Sequence, residues 1–260
     1  MSYKNNKEAI QNMIYDLTKD DDIIVLMAVA IGSRAYGCAG PNSDYDIRFI
    51  YKRPEEAYLD VIGKTTDQLI FPINNGYDIV GWDISKVTKL AYKSNVTLLD
   101  WIMSPIIYYD DKGFRDKMVD LVNEHYQVQQ LLGGYSGVWK SHAKETLTVK
   151  SGLNLYRTSL QAEYVFENND LPPMDFNKLL KSVNVSEEVL TEIKQLINEK
   201  ANGKGEEPYK LYTDFCSKVE EKFRTYPWKK ETAILQKDNE IAKRKNALNK
   251  FFIQTIRDQV

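Results

Sequence analysis

The side chains best suited to chemistry in this 260-residue chain lie between Ile31 and Tyr51. Asp44 and Asp46 alternate with apolar and aromatic residues, the period of a β-strand. Residues two apart on a strand project to the same face. Two carboxylates held side by side repel, and each raises the other's pKa. A shared cation removes that cost, and a hard divalent ion with oxygen ligands suits the pair, Mg²⁺ above all when phosphate is also a ligand. Just upstream, an apolar run from Ile23 to Ile31 ends at Gly32-Ser33-Arg34, and a loop with Gly37, Gly40 and Pro41 follows. Backbone N–H groups freed by glycine in such a loop can hold phosphate oxygens. The competing reading is a solvated turn after an edge strand, with Asp44 as its cap.

Gly32-Ser33, a spacer, and Asp44-Tyr45-Asp46-Ile47 together resemble the signature of the polymerase-β-like nucleotidyltransferases. The resemblance implies two Mg²⁺ ions bridged by Asp44 and Asp46, a nucleoside triphosphate (ATP or another NTP or dNTP) bound near Gly32, Ser33 and Arg34, and a third carboxylate from a neighbouring strand. The strand Tyr77 to Ile84 offers Asp78 and Asp83, which are five apart and face opposite ways. Asp83 immediately precedes a helical pattern, Ile84 to Tyr92, and is well placed as its N-cap. Asp78 has no such structural explanation and is the favoured third carboxylate. Arg48 shares the face of Asp44 and Asp46, either neutralising them or pointing to solvent.

The phrases Asp78 to Lys86, Lys93-Ser-Asn95, Leu99 to Tyr108, Lys150 to Arg157 and Leu171 to Phe176 look like one branch of that superfamily. It is the branch of predicted nucleotidyltransferases that includes a protein encoded beside RNA-repair ligases. Members usually carry glutamate where Asp100 stands, proline where Val96 stands, and paired lysines and tyrosines near Ser151, Gly152 and Asn154. The resemblance extends nucleotide binding to Lys93 and Asn95, for which a solvated lysine and a helix C-cap are the plain alternatives. Lys150 and Arg157, seven apart on one helical face, suit a phosphate clamp or an exposed charged face.

The elements that must position these residues follow from periodicity. Asn5 to Leu17 has helical spacing, Ile23 to Ile31 reads as a strand buried on both faces, and Pro54 ends the next strand. Glu55 to Gly63 is weakly helical, Gln68 to Ile73 is a short strand, and Asn74-Asn75-Gly76 is a hairpin turn. After Asp83 the chain is helical, with breaks expected at Ser104-Pro105, Gly133-Gly134, Pro172-Pro173, Pro227, and a surface linker at Asn202 to Gly205. The fold expected is α+β: a small mixed-sheet nucleotidyltransferase domain over residues 1–110 and an α-helical domain over 111–260.

Charge is nearly balanced at −2, so no global basic field announces nucleic acid. Lys243-Arg244-Lys245 reads best as a solvated helix face, with RNA contact the alternative. Two distant cysteines, Cys38 and Cys216, argue against a disulfide scaffold or zinc site and fit a reducing cytoplasm. His125 and His142 lack ligand spacing and read as packed or surface residues. No apolar run reaches membrane-spanning length. Four uses of the site remain open: nucleotide transfer to RNA or tRNA 3′ ends, which leads because of the branch's association with RNA repair; transfer to a protein hydroxyl; transfer to a small molecule such as an aminoglycoside; or nucleotide sensing without turnover.

Overall fold

The apolar run Ile23 to Ile31 becomes the strand next to the edge of a sheet, flanked on both sides by paired strands. The computed structural model describes residues 7–41, 43–60, 62, 66–74, 76–144, 146–228 and 237–257. In chain order the first half contains α1 (Lys7–Thr18), β1 (Ile24–Ala30), α2 (Gly32–Ala35), β2 (Tyr45–Lys52), α3 (Glu55–Leu59), β3 (Gln68–Ile70), β4 (Tyr77–Asp83), α4 (Ile84–Tyr92), α5 (Val96–Ile102) and β5 (Ile107–Asp110). The second half contains α6 (Phe114–His125), α7 (Val128–His142), β6 (Leu147–Thr148), α8 (Val149–Asn168), α9 (Phe176–Ser182), α10 (Glu187–Ala201), β7 (Pro208–Tyr209), α11 (Phe215–Thr225) and α12 (Lys237–Arg257). Asn5, Gly63 and Asn75, which the sequence reading placed in a helix, a weak helix and a turn, lie outside the described residues.

The five-stranded sheet has the order β3-β4-β2-β1-β5 among the described residues. Only β2 and β4 pair in parallel there, and that pairing sets Asp46 opposite Asp78 and Tyr51 opposite Asp83. Alternation along β2 then sorts the two faces. Ile47, Phe49 and Tyr51 pack under α1 with Ile10 and Ile14, whereas Ile50 joins the larger core with Trp101, Leu131 and Tyr156 of the helices. Asp46 and Arg48 share Ile50's parity, so the carboxylate face is the one turned toward the helical half. Each large apolar side chain buried in these cores contributes about 1.5–3 kcal/mol.

Two expectations about the helical half are corrected. Gly133-Gly134 does not interrupt α7, which runs through both residues. A Cβ on Gly134 would lie 2.8 Å from Val96 Cγ1, so this glycine lets α7 approach α5 closely. Asn202 to Gly205 is the exposed turn expected between helices, and it also docks on α8: the Gly205 and Glu207 carbonyls accept from the N–H groups of Lys150 and Val149 at 2.9 and 3.0 Å. Arg244 is not solvated. It is buried and donates to Ala91 O and Ser94 Oγ at 3.3 and 3.0 Å, while Lys243 pairs with Glu124 at 3.6 Å. The expected strand Gln68 to Ile73 is shorter, ending at Ile70. Residue 110 closes β5, yet α12 returns to the sheet: Lys52 Nζ donates to Thr255 O at 3.0 Å and Arg257 Nε to Glu55 at 2.8 Å.

Candidate active site

At the end of β1 the chain turns sharply and is tied to β2, where Ile31 N donates to Asp46 O at 2.8 Å. Gly32 adopts φ +67°, and a Cβ there would lie 2.2 Å from Asp46 Oδ2. Glycine is therefore required twice, by conformation and by contact. Arg34 braces the following loop. Its guanidinium donates to Ser43 O and Asp44 O at 2.7 and 3.1 Å and lies 3.7 Å from the centroid of the Tyr45 ring, which stacks on Tyr77. Arg34 thus holds the backbone that carries Asp44.

Asp46 and Asp78 share one cation. Arg48 Nη2 lies 2.7 Å from Asp78 Oδ2 and 3.9 Å from Asp46 Oδ1. Arg48 Nη1 also donates to the carbonyls of Ile47 and Asp78 at 2.9 and 2.7 Å, which anchors the guanidinium between the strands. Burial pushes the Asp46 carboxyl upward; Arg48 opposes this, while Asp78 and Asp44 add to it. Asp83 is a different kind of residue. Its side chain accepts from Ser85 N at 2.7 Å and Tyr58 Oη at 3.1 Å, and it is only 3% exposed. It caps α4.

A cavity of about 470 Å³ is lined by residues of both the sheet region and the helices. Gly32, Ser33, Asp44 and Asp46 line one side; His142, Lys150, Asn154, Arg157 and Lys200 line the other. Lys150 is exposed and lies 3.7 Å from Glu206. Arg157 is buried and fixed: Asp100 lies 3.7 Å from it, its guanidinium sits 3.8 Å from the Tyr36 ring centroid, and it donates to Gln161 at 3.2 Å. Tyr36 Oη donates to Asp100 at 2.9 Å, completing a bridge between α2, α5 and α8.

Of the residues expected at the site, Gly32, Ser33, Asp44, Asp46, Lys150 and Arg157 meet at this cavity. Asp78 stands beside Asp46, held by Arg48. Lys93 and Asn95 are not brought there. Asn95 accepts from Leu98 N at 3.0 Å as the N-cap of α5, not as a C-cap, and Lys93 lines a separate hollow with Lys89 and Lys245. Sequence reasoning missed Tyr36, Asn154 and Lys200, and it assigned His142 to packing or to the surface. Asn154, His142 and Lys200 each depend on a helix whose position only the fold supplies.

The donor set of Asp44, Asp46 and Asp78 is all oxygen and like-charged, which fits a hard divalent ion. Among the described residues no group of three or more His, Cys, Asp and Glu side chains is gathered into a ready cage. The fit therefore rests on the pair facing the cavity. No helix among the described residues is long and apolar enough to cross a membrane.

An α+β fold in which paired carboxylates follow a glycine turn on a mixed sheet defines this chain as a polymerase-β-like nucleotidyltransferase. Residues 6–254 match the model of RlaP, the RNA repair pathway DNA polymerase beta family, and the chain belongs to that family. It is 29% identical over 202 residues to YcgL of Bacillus subtilis (strain 168), covering 76% of this chain and 77% of that one. It is also similar to the crystal structure of a nucleotidyltransferase-like protein from Exiguobacterium sibiricum, with 8% identity and a TM-score of 0.33, covering 97% of this chain and 81% of that one.

Proposed function

We propose that the chain transfers a nucleoside monophosphate from an NTP to an acceptor hydroxyl, releasing pyrophosphate, and that the acceptor is an RNA or tRNA 3′ end. One observation carries the reaction: Asp44 and Asp46 line a cavity that is also lined by Lys150, Arg157 and Lys200 from the helices. The family's own description, which names RNA repair, supports the RNA acceptor. Asp44 and Asp46 would hold Mg²⁺, with Asp78 as the third carboxylate. Bound there, a pair of such ions supplies a lowered hydroxyl pKa and neutralises the departing pyrophosphate.

The chain's own groups do the rest. The turn at Gly32 and Ser33 presents backbone N–H groups to phosphate oxygens. Lys150 approaches them from α8. Asp100 and Tyr36 hold Arg157 so that its charge at the cavity wall is preset, and preset charge costs no reorganisation during the reaction. Arg48 keeps Asp78 oriented toward Asp46. Arg34 fixes the start of β2, so the reacting groups are placed by the sheet rather than by a loose loop.

The test is incubation with labelled NTPs, Mg²⁺ and either total RNA or total protein. Label on RNA that disappears in Asp44→Asn and Asp46→Asn supports the proposal. Label on protein or on a small acceptor transfers the same chemistry to another substrate. Saturable nucleotide binding with no label transferred replaces the enzyme by a sensor.

A further inference from the structure

Among the described residues, the cations that line the cavity include one, Lys200, that has no anion partner. Lys200, on the last turn of α10, is 8% exposed. Lys150 pairs with Glu206 and Arg157 with Asp100, but among the described residues Lys200 Nζ has no ion pair. Its hydrogen-bond partner there is Cys38 Sγ at 4.0 Å, a weak acceptor. Burying an ammonium group without a counter-charge is costly. Burial pushes its pKa down, and the neighbouring Lys150 and Arg157 charges add to that push, opposed by Cys38 and Asp46.

The position of the amine is built in. A Cβ on Gly40 would lie 2.4 Å from the carbonyl oxygen of Lys200. The loop that leads into Asp44 therefore rests directly on the last turn of α10. This contact fixes Lys200 relative to Gly32, Ser33 and Asp46, and all of them line the same cavity. An occupant must satisfy a buried cation on one side and, on the other, carboxylates that themselves attract cations. A chain of phosphates with its bound divalent metal has both faces.

Building on the nucleotidyl-transfer reading, we infer that Lys200 is the ligand for the polyphosphate tail of the nucleotide, leaving Cys38 when the tail arrives. The amine then gains the charge-assisted contacts that the empty cavity does not offer.

The probes are inorganic tripolyphosphate and a non-hydrolysable NTP, each titrated in Mg²⁺ against wild type, Lys200→Met, Lys200→Gln and Lys200→Arg. Lys89→Met, an exposed lysine of α4, is the control. Both neutral variants are expected to bind tripolyphosphate about tenfold or more weakly, as loss of a hydrogen bond from a charged group predicts. They are also expected to melt no lower than wild type without ligand, because a buried unpaired charge has been removed. Lys200→Arg and Lys89→Met should retain binding.

Unchanged tripolyphosphate affinity in folded Lys200→Met or Lys200→Gln overturns the inference. So does a large loss of ligand-free stability in both, since the amine would then serve the fold. The two readings fail separately. If wild type transfers labelled nucleotide and both neutral variants keep its kcat/KM, the inference falls and nucleotidyl transfer stands. If wild type binds tripolyphosphate through Lys200 but transfers nothing, the inference stands and nucleotidyl transfer falls.

Discussion

Replacing Gly32 by alanine tests whether the turn after β1 is built against the Asp46 carboxylate. Two costs are separable. Gly32 has φ +67°, where a Cβ costs about 1–2 kcal/mol. The added methyl would also stand 2.2 Å from Asp46 Oδ2, where about 3.0 Å is the closest tolerable approach, so the carboxylate or the turn must move. Turning Asp46 off its rotamer costs a further 0.5–1.5 kcal/mol or so. The sum, about 1.5–3.5 kcal/mol, lowers Tm by about 3 °C or more in a chain of this size. Displacing a reacting group by about 1 Å costs roughly 10²-fold in rate. Gly37→Ala is the matched control. Gly37 has φ +76° but nothing within 4 Å of its would-be Cβ, so it suffers strain without the clash. Thermal melts and nucleotide-transfer kinetics on both variants should show both proteins destabilised and only Gly32→Ala inactivated. Equal turnover in the two variants would refute the idea that Gly32 sets the Asp46 carboxylate.

The two candidate carboxylates of β4 separate by mutation. Asp83→Ala should cost about 1 kcal/mol for the lost cap, more once Tyr58 Oη loses its acceptor, with transfer retained. Asp78→Asn should stop transfer at little cost in melting temperature, and the opposite pattern would exchange their roles. Gly134→Ala should cost about 1–3 kcal/mol in urea unfolding, because the new methyl meets Val96 Cγ1 at 2.8 Å; an unchanged midpoint would mean that α7 can shift away from α5. His142 makes stability depend on pH. Burial first, then Arg157 and Lys144, hold its pKa below the 6.5 of the unfolded chain. The native state thus takes up this proton less readily than the unfolded state, and the contribution is complete above about pH 6.5 and lost as pH falls below it. Melts at pH 7.5 and 5.5 should show a smaller drop for His142→Gln than for wild type, and an equal drop would remove His142 as the source.

The carboxylate side of the site was legible because it is local. Gly32, Ser33, Asp44 and Asp46 sit on one turn and one strand, where period two and a glycine fix their relation before any tertiary contact forms. Asp83 was readable as a cap for the same reason. The basic side was only half legible. Lys150 and Arg157 share a helix and could be read from their spacing, but Lys200 comes from α10 and owes its place to packing of the Gly40 loop on that helix. Its neighbourhood read as a linker because Asn202, Gly203 and Gly205 have turn chemistry whether they face solvent or a cavity. Gly133-Gly134 misled for a related reason: glycine marks a close approach as well as a break, and composition does not distinguish the two.

Pairing between strands was beyond sequence reading as well, and it determines how the charges act. Asp78 meets Asp46 because β2 and β4 run parallel in that register; a slip of one residue would turn Asp78 to the α1 side. Two carboxylates in adjacent strands would repel, and Arg48 is fixed between them by the Ile47 and Asp78 carbonyls, so it is held by backbone as well as by charge. A divalent ion at Asp44 and Asp46 therefore need not displace it. Arg48 offsets the repulsion at Asp78, on the strand side, while the cavity side of Asp46 stays open. On the proposed reading the sheet carries one fixed cation, Arg48, and leaves Asp44 and Asp46 at the cavity to hold a divalent one. On the same reading the helical side meets the arriving anion with Lys200, because Arg157 is already held by Asp100 and Lys150 lies near Glu206.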